Sequence, residues 1–358
     1  RETTVIDATG KLVTPGLIDP HTHVVFAGSR EQELGMRLKG ATYMEIMNAG
    51  GGIHRTTEST RAADEEQLLR ETEKRLDRFL AHGVTTIEAK SGYGLRLEDE
   101  LKQLRVARLL NERHPVELVS TFMGAHAVPR EYKGNEDAYV RVVTEEMIPA
   151  VARAGLAEFC DVFCEEGVFT PAQSRAILEA GKKWGLKPKI HADEIVPYGG
   201  AELAAEVGAV SAEHLLRASD EGIRAMAAKG VIAVLLPGTA FFLMVPPADA
   251  RKMIDAGVPV ALSTDRNPGS CPTESLPFIM NLACFTMRMT PEEVLTACTI
   301  NAAHAIGRAD LEFGKQADAV VFDAPNYLYL QYHYAVNLVE AVIKKGVPVI
   351  RDGRRTDL

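Results

Sequence analysis

The chain has 358 residues, of which 46% are hydrophobic and 25% charged, an ordinary globular composition with enough length to bury a large core. Its formal net charge of −9 argues against a nucleic-acid-binding protein, because contacts with phosphates require clustered Lys and Arg side chains. The sequence has no apolar run long enough to span a bilayer, no recognisable secretory signal and an odd number of cysteines, five, so we expect a cytoplasmic protein without a membrane partner.

The first predicted element is Thr3–Val13, which consists of a strand, a turn at Gly10 and a second strand. The chain starts at Arg1 rather than Met and enters this strand at once. We therefore expect that these residues continue a longer chain.

From residue 17 onward, short β-branched segments alternate about eight times with amphipathic, charge-flanked segments. The predicted strands are Leu17–His23, Thr85–Lys90, Glu117–Thr121, Glu158–Phe163, Pro188–Ala192, Val210–His214, Val231–Leu236 and Pro259–Thr264. The clearest predicted helices are Glu65–Ala81, Leu97–Glu112, Pro171–Trp184 and Gly200–Val207. In the third of these helices, Pro171 occupies the first turn, where proline is tolerated, and Thr170 is the expected N-cap.

This alternation predicts an α/β protein with a parallel sheet, and we favour closure of the sheet into a (β/α)₈, TIM-like barrel. A doubly wound open sheet is the alternative, but the first strand is not followed by the glycine-rich phosphate loop that would support it. Beyond the barrel, Gly314–Phe322 and Ala341–Arg351 are strand-like, and Lys345-Gly346 and Asp352-Gly353 are turn signals.

The β segments at the two ends of the chain are expected to pair in one small composite β-sandwich domain. We therefore predict that residues 1–16 and 311–358 are the two parts of this domain. Residues 17–310 would form the barrel.

Four side chains that can bind a metal ion lie at predicted strand ends. His21 and His23 are two positions apart on the first barrel strand and so present their imidazoles to one side. His191 lies at the end of another strand, and Asp265 follows the eighth strand. Because catalytic groups gather at the carboxyl ends of barrel strands, we expect the four to converge. Three imidazoles and a carboxylate suit Zn²⁺ or Fe²⁺ and leave a position for water.

This constellation predicts a metal-dependent hydrolase, because a bound divalent ion lowers the pKa of water and polarises a carbonyl group. A proton must then move to the leaving nitrogen. Glu194, three residues beyond His191, or His214 on the neighbouring strand could carry it. The fourth strand has no lysine that could bridge a second ion, and Lys90 at the end of the second strand is less well placed for that role. We therefore predict one metal ion.

The residues around these positions resemble the amidohydrolase superfamily. The segment from Asp7 to His23 resembles its opening motif, and Gly314–Asp318 with Val320 and Val321 resembles its return strand. Within the superfamily, the chain is most similar to enzymes that open an imidazolone ring with a propanoate chain. The motifs most specific to that group are His23–Arg30, Gly50–Ile53, Lys90–Gly94, Gly124–His126, His191–Glu194, and Asp265 with Asn267–Ser270.

The resemblance implies a barrel hydrolase that acts as a homodimer on a small anionic imidazolone substrate. It implies that His21, His23, His191 and Asp265 bind the metal, and that His214 is a catalytic histidine beside it, with Glu194 and Asp265 as further catalytic groups. The implied substrate-binding residues are Arg30, Tyr93, His126, Glu194, Asn267, Gly269 and Ser270.

Physical chemistry agrees with an acidic substrate. Arg30 offers two parallel donors to a carboxylate, and the backbone N–H groups of Asn267–Ser270 could add anion contacts. Two alternatives stay open: another cyclic-amidine or amide hydrolase or deaminase of the superfamily, for example one that acts on cytosine, and a non-catalytic barrel homologue. One departure from the family pattern is Arg266, which follows Asp265 where a small or apolar residue is expected.

Overall fold

The computed structural model describes residues 5–41, 45–46, 50–308 and 316–356. The strands are β1 (Leu12–Pro15), β2 (Leu17–Thr22), β3 (Val84–Lys90), β4 (Glu117–Ala125), β5 (Phe159–Cys164), β6 (Lys187–Ala192), β7 (Ser211–His214), β8 (Ile232–Leu235), β9 (Val260–Leu262), β10 (Ala319–Phe322), β11 (Val339–Lys344), β12 (Val347–Arg351) and β13 (Arg354–Arg355).

The helices in the same ranges are α1 (Glu31–Leu38), α2 (Ile53–Ala62), α3 (Glu65–Ala81), α4 (Leu97–Arg113), α5 (Glu136–Arg141), α6 (Ile148–Arg153), α7 (Pro171–Lys183), α8 (Gly200–Val207), α9 (Asp220–Lys229), α10 (Pro237–Leu243), α11 (Ala250–Asp255), α12 (Leu276–Met287), α13 (Pro291–Ala297), α14 (Ile300–Ala305) and α15 (Tyr327–Tyr332). A π-helical segment, Val142–Met147, joins α5 to α6.

Strands β2 to β9 form one eight-stranded parallel sheet in which each strand pairs with the next along the chain. The sheet closes beyond the end of β9, where the Asp265 N–H donates to the His21 carbonyl (3.1 Å) and the His23 N–H donates to the Arg266 carbonyl (2.9 Å). The buried Asp19 carboxylate of β2 also joins this seam by accepting a hydrogen bond from the Thr264 hydroxyl at 2.7 Å. The structure therefore confirms the (β/α)₈ barrel and excludes the open, doubly wound sheet.

All eight predicted barrel strands are present, and seven of them begin and end within two residues of the predicted limits. The exception is β4, which we predict to end at Thr121 but which continues to Ala125. The continuation is possible because Gly124 has no side chain. A Cβ atom at Gly124 would lie 2.6 Å from Cζ of Phe122, so glycine accommodates a buried ring here instead of breaking the strand.

The four predicted helices are also present, as α3, α4, α7 and α8. At the start of α7, the Thr170 hydroxyl accepts a hydrogen bond from the Gln173 N–H (3.2 Å) and the Gln173 side chain accepts one from the Thr170 N–H (3.0 Å). This reciprocal cap satisfies two N–H groups that the first helical turn leaves unpaired. None of the helices in the described ranges combines the length and the apolar character needed to cross a bilayer.

The two ends of the chain pair in a five-stranded antiparallel sheet with the order β1-β10-β11-β12-β13. Its key contact is between the ends of the chain, with Leu12 opposite Phe322 and Pro15 opposite Ala319. Both predicted turns are present, between β11 and β12 and between β12 and β13. The composite β unit is therefore confirmed, while the residue limits 1–16, 17–310 and 311–358 stay predictions.

The predicted strand–turn–strand at the start of the chain is only partly correct. The turn at Gly10 and the strand after it are present, but residues 5–8 are irregular. Since β10 pairs only with residues 12–15 of this segment, residues 5–8 lack the ladder of hydrogen bonds that would hold them as a strand. Residues 3–4 of the predicted strand and residues 314–315 of the predicted return strand lie outside the described residues.

Candidate metal centre

The barrel brings together the four side chains that we predict to bind a metal ion. His21 lies in β2 and His23 follows it, His191 lies in β6, and Asp265 follows β9, so all four are at the carboxyl rim. The Nε2 atoms of His23 and His191 are 3.4 Å apart. The Asp265 Oδ1 atom lies 3.4 Å from Nε2 of His21 and 3.9 Å from Nε2 of His23. All four residues are buried, so the cluster is compact and shielded from bulk water.

The chain adopts unusual backbone conformations to present these groups. Asp265 has a φ of +53° and His214 a φ of +71°, which side chains other than glycine rarely adopt. Asp265 is held in place because its Oδ2 atom accepts a hydrogen bond from the Thr239 hydroxyl at 2.7 Å. Left-handed residues at two neighbouring positions of the rim fit the general tendency of strained backbone to collect at functional sites.

An orphaned nitrogen shows that the residues present fit a metal ion. The Nε2 atom of His21 is buried and has no hydrogen-bond partner, and the same holds for Nδ1 of His214. Two overlapping groups of donor atoms lie within 4.8 Å of one another: His21 with His23 and His191, and His21 with His214 and Asp265. Leaving a buried polar atom unpaired is costly. A cation at this point would satisfy the imidazole nitrogens, and this mixed nitrogen and oxygen donor set suits Zn²⁺ or Fe²⁺.

Two buried carboxylates orient the histidine rings from behind. The Nδ1 atom of His21 contacts Oε2 of Glu213, and Nδ1 of His191 lies 3.1 Å from Oδ1 of Asp161. Each contact directs the other ring nitrogen, Nε2, toward the centre, as outer carboxylates commonly do for metal-binding histidines. We do not predict these two carboxylates from the sequence. The available signal is a single acidic residue in an otherwise apolar strand, which Asp161 provides in Phe159–Cys164.

Glu194 and His214 lie side by side next to the cluster. The Oε2 atom of Glu194 is 3.5 Å from Nε2 of His214. Burial, together with a smaller effect of the nearby Asp265 carboxylate, raises the pKa of Glu194 to about 8. Burial also lowers the pKa of His214 well below its usual range. A carboxyl group that titrates close to neutral pH is suited to accept a proton and release it again.

Aromatic side chains form one wall beside the cluster. The His126 ring stacks on the His23 ring with a centroid distance of 4.6 Å and an angle of 12°. The Tyr93 ring lies 5.7 Å from the His23 ring and is buried. These two predicted substrate-binding residues therefore lie directly beside the four predicted metal-binding side chains.

Arg30 makes the ion pair that is the simplest alternative to a binding role. Its Nε and Nη2 atoms donate to the two carboxylate oxygens of Glu33 at 2.9 and 2.8 Å. The pair is nevertheless placed at the rim, because a Cβ atom at Gly269 would lie 2.1 Å from Nη1 of Arg30. Glu33 also accepts the Gly52 N–H at 2.8 Å, so it fixes both the guanidinium and the glycine-rich loop. We do not predict this second role of Glu33 from the sequence.

The Asn267–Ser270 turn is closed by hydrogen bonds of its own. The N–H groups of Gly269 and Ser270 both donate to Oδ1 of Asn267, each at 2.8 Å. They therefore close the turn in this structure, and their contact with an anion stays a prediction. The turn closes in this way because an Asn side chain readily accepts hydrogen bonds from N–H groups two and three residues ahead.

The unexpected Arg266 is partnered locally. Its Nε atom donates to Oε1 of Glu274 at 2.7 Å, and its Nη1 atom donates to the Asn267 carbonyl at 3.0 Å. The side chain also borders a cleft of about 240 Å³ together with Phe26 and Pro268. Glu274 therefore balances the charge of Arg266. The Arg266 side chain forms part of the wall of the cleft next to Asp265.

Comparison with known proteins places these features in a family. A sequence model of the amidohydrolase family matches residues 12–350. The chain is 69% identical over 357 residues to an imidazolonepropionase of Geobacillus sp. (strain WCH70), which covers 99% of this chain and 84% of that protein. It is 72% identical over 352 residues to an imidazolonepropionase of Shouchella clausii (strain KSM-K16), which covers 97% of this chain and 79% of that protein.

Solved structures of lower sequence identity share the fold. A 5-methylcytosine deaminase from Klebsiella pneumoniae liganded with phosphonocytosine superposes with a TM-score of 0.77 at 17% identity, covering 100% of this chain and 91% of that one. An atrazine chlorohydrolase from Arthrobacter aurescens TC1 complexed with zinc gives a TM-score of 0.73 at 16% identity, covering 98% and 86%. At these identities the likeness concerns the architecture alone.

Proposed function

The chain belongs to the amidohydrolase family, and on that premise we propose that the residues at its barrel rim carry out the imidazolonepropionase reaction. In this reaction a ring C–N bond of 4-imidazolone-5-propanoate is hydrolysed to give N-formimidoyl-L-glutamate, a step of L-histidine degradation. The observation that carries the assignment of residues is the convergence of three imidazoles and one carboxylate, with a buried His21 nitrogen that has no partner.

We propose that His21, His23, His191 and Asp265 hold one divalent ion, Zn²⁺ or Fe²⁺. When bound, such an ion lowers the pKa of a water molecule and polarises the ring carbonyl of the substrate. Burial lowers the pKa of His21 and His23 well below the usual range. Their imidazoles are therefore neutral near pH 7, as binding to a cation requires.

The side chains beside the ion would then move the proton. We assign Glu194 as the group that accepts a proton from the attacking water and delivers it to the ring nitrogen when the C–N bond breaks. His214 lies 3.5 Å from Glu194 and could share this task as the second catalytic histidine. Asp265 would hold the ion as one of its ligands, and we assign it to the catalytic group as well.

The rest of the rim suits a ring with an acidic chain. Tyr93 and His126 would flank the imidazolone ring next to the ion, and Arg30 would bind the propanoate carboxylate. The Nη1 edge of Arg30 faces Gly269, where the missing side chain leaves room for the guanidinium itself. Asn267 and Ser270 would act by holding the turn around Gly269. Pairing with Glu33 keeps the guanidinium oriented, which reduces the entropy lost on binding.

The competing function is that of a deaminase or of another ring hydrolase in the family. The fold is shared with a 5-methylcytosine deaminase, but the partly buried Arg30, held at the rim by Glu33, favours an acidic substrate. The test is to assay the purified protein on imidazolone propanoate and on cytosine, before and after chelation. We expect turnover of the imidazolone alone, lost on chelation and restored by Zn²⁺ or Fe²⁺. A preference for cytosine would contradict the assignment, and turnover that survives complete chelation would exclude the metal mechanism.

Arg30→Ala is expected to raise KM by about 10- to 100-fold with a smaller change in kcat. A hydrogen-bonded contact between a guanidinium and a carboxylate contributes roughly 1.5–3 kcal/mol, and each factor of ten corresponds to about 1.4 kcal/mol. The measurement is steady-state kinetics, together with thermal unfolding to show that Glu33 is tolerated without its partner. Arg55→Ala is the matched control, because Arg55 is exposed and contacts Gln32. An unchanged KM for Arg30→Ala would remove Arg30 from the binding site.

We also propose that the enzyme is cytoplasmic, since all five cysteines are free thiols. We propose further that it is a homodimer, because one face is apolar. Helix α12 packs against both α10 and α15. Large apolar side chains are exposed on these helices and just after them: Phe241, Met244, Phe285, Leu328, Tyr332 and Tyr334. Clustered exposed apolar side chains commonly mark an interface.

The dimer face is tested by Phe285→Glu, which buries a charge if α12 lies in the interface. We expect the mass measured by light scattering to change from two chains to one. Leu38→Glu on α1 is the control, because Leu38 is 67% exposed and distant in sequence from that face. A wild-type protein with the mass of one chain, or a Phe285→Glu variant that stays dimeric, would contradict this placement.

A further inference from the structure

The barrel interior next to the candidate metal centre contains a group of charged side chains that are shielded from solvent. All of them belong to barrel strands, and their side chains have no exposed area: Glu88, Lys90, Asp161, Lys189 and Glu213. Charged groups are almost never fully buried unless they are paired. Their contacts with one another, and with the histidines, therefore decide what the group does.

Lys90 is the member that contacts all three carboxylates. Its Nζ atom lies 2.7 Å from Oδ2 of Asp161, 3.0 Å from Oε1 of Glu88 and 3.3 Å from Oε2 of Glu213. Lys189 has a different set of contacts. Its Nζ atom lies 2.7 Å from Oε2 of Glu88 and 3.4 Å from Oε1 of Glu213, and it also donates to the Ala305 carbonyl at 3.2 Å.

The carboxylates that Lys90 joins are the two that orient metal-binding histidines. Asp161 of β5 contacts Nδ1 of His191, and Glu213 of β7 contacts Nδ1 of His21. The same Oε2 atom of Glu213 contacts both His21 and Lys90. A continuous chain of hydrogen bonds and ion pairs therefore connects His21 of β2 with His191 of β6.

The negative charges of Asp161 and Glu213 explain why the Lys90 ammonium group is needed between them. Asp161 and Glu213 are buried carboxylates that would repel each other and turn away without a cation between them. The three carboxylates raise the pKa of Lys90 above its usual value in spite of burial, so its side chain is an ammonium ion at all relevant pH values. With the two lysines present, the group carries one net negative charge, which favours a divalent ion beside it.

We propose that Lys90 is a positioning residue that couples Asp161 to Glu213 and so holds the His191 and His21 rings in the orientation that binds one cation. Lys189 neutralises Glu88 and supports the barrel, but it does not bridge the two histidine partners. This inference rests on the proposed function to the extent that the histidines bind a metal ion. It adds a residue that touches neither the ion nor the substrate.

The test compares two double variants that differ only in which lysine is removed. Lys90→Met with Glu88→Gln and Lys189→Met with Glu88→Gln each remove one ammonium and one carboxylate, so both keep the net charge of the group. Apo-protein unfolding shows that each variant folds. The Kd for Zn²⁺ is then measured by competition with a chromogenic chelator, and the visible spectrum of the Co²⁺ form reports the ligand geometry.

We expect the Lys90 double variant to bind Zn²⁺ about 10- to 100-fold more weakly, which is the usual effect of losing a group that orients a metal ligand, and to show an altered Co²⁺ spectrum. The Lys189 double variant should stay close to the wild-type Kd and spectrum. If the Lys90 double variant does not fold, the single variant Lys90→Gln, which keeps a donor but no charge, is expected to show the same direction of change.

Two failures are distinguishable. Wild-type protein that binds neither Zn²⁺ nor Co²⁺ would overturn the proposed function, and this inference with it. Wild-type protein that binds the metal while both double variants keep its Kd and spectrum would overturn the role of Lys90 alone. Equal weakening in both double variants would do the same, because it would reduce Lys90 to a general structural contribution.

Discussion

His191→Ala and Asp265→Ala are each expected to lower kcat by at least about 10³-fold and to leave the purified protein with little bound metal. A catalytic ion contributes several kcal/mol to stabilising the transition state, and about 1.4 kcal/mol corresponds to a factor of ten in rate. Each variant removes one of four donors that the barrel holds within a few ångströms. Asp265→Ala also removes the acceptor of the Thr239 hydroxyl, so we expect some loss of stability there.

The measurement is metal content by mass spectrometry of the dialysed protein, followed by the assay on imidazolone propanoate. His304→Ala and Asp255→Ala are matched controls, because both residues are exposed on the outside of the barrel. The controls should keep full metal content and activity. A His191→Ala protein that retains both would show that the histidine lies near the centre without binding to it.

Glu194→Gln is expected to lower kcat by about 10²- to 10⁴-fold while metal content stays at the wild-type level. The amide keeps the size of the side chain and its place beside His214, but it cannot act as a base, and positioned proton transfer contributes a rate factor of that size. Burial raises the pKa of the Glu194 carboxyl to about 8, so the group that is lost is one that exchanges a proton near neutral pH.

Kinetics and metal analysis separate this role from metal binding. Glu166→Gln is the control, since Glu166 lies on an exposed part of the rim and should be neutral. His214→Asn tested in parallel shows how much of the proton transfer depends on the neighbouring ring. Turnover of Glu194→Gln at the wild-type rate would assign the proton to His214 and exclude Glu194 from the mechanism.

Sequence patterns were sufficient to locate the barrel and the residues at its rim. Alternating strand and helix segments predict the barrel because parallel strands need long crossover connections, and buried strands leave continuous β-branched runs. His21, His23, His191 and Asp265 are predictable as neighbours for the same reason. Each of them lies at or just after a strand end, and all carboxyl ends of a barrel meet on one side.

The partners behind and beside the rim were not predictable in the same way. Glu213 directly precedes His214 and Lys90 ends a strand, but only the three-dimensional register shows that their side chains meet in the barrel interior. The sequence does not predict the role of Glu33, because its carboxylate contacts Gly52, which is 19 positions away along the chain. The hydrogen bonds of the Asn267 turn were not predictable either, because local geometry decides whether a backbone N–H group donates to a ligand or to a side chain.

The terminal segments show the same limit for secondary structure. The strand of residues 12–15 forms because β10 lies beside it. Residues 5–8 also include two β-branched residues, Val5 and Ile6, but they do not pair with β10. Strand propensity describes a side chain that fits a half-buried sheet. It does not specify which part of a segment meets a partner strand.

The central claim is that one divalent ion is bound by His21, His23, His191 and Asp265. It is tested most directly by anomalous diffraction from crystals of the dialysed wild-type protein, recorded on both sides of the absorption edges of zinc and iron. We predict a single anomalous peak between the three Nε2 atoms and Oδ1 of Asp265. Two peaks at the barrel rim, or one peak at a site that these four side chains do not reach, would contradict the account.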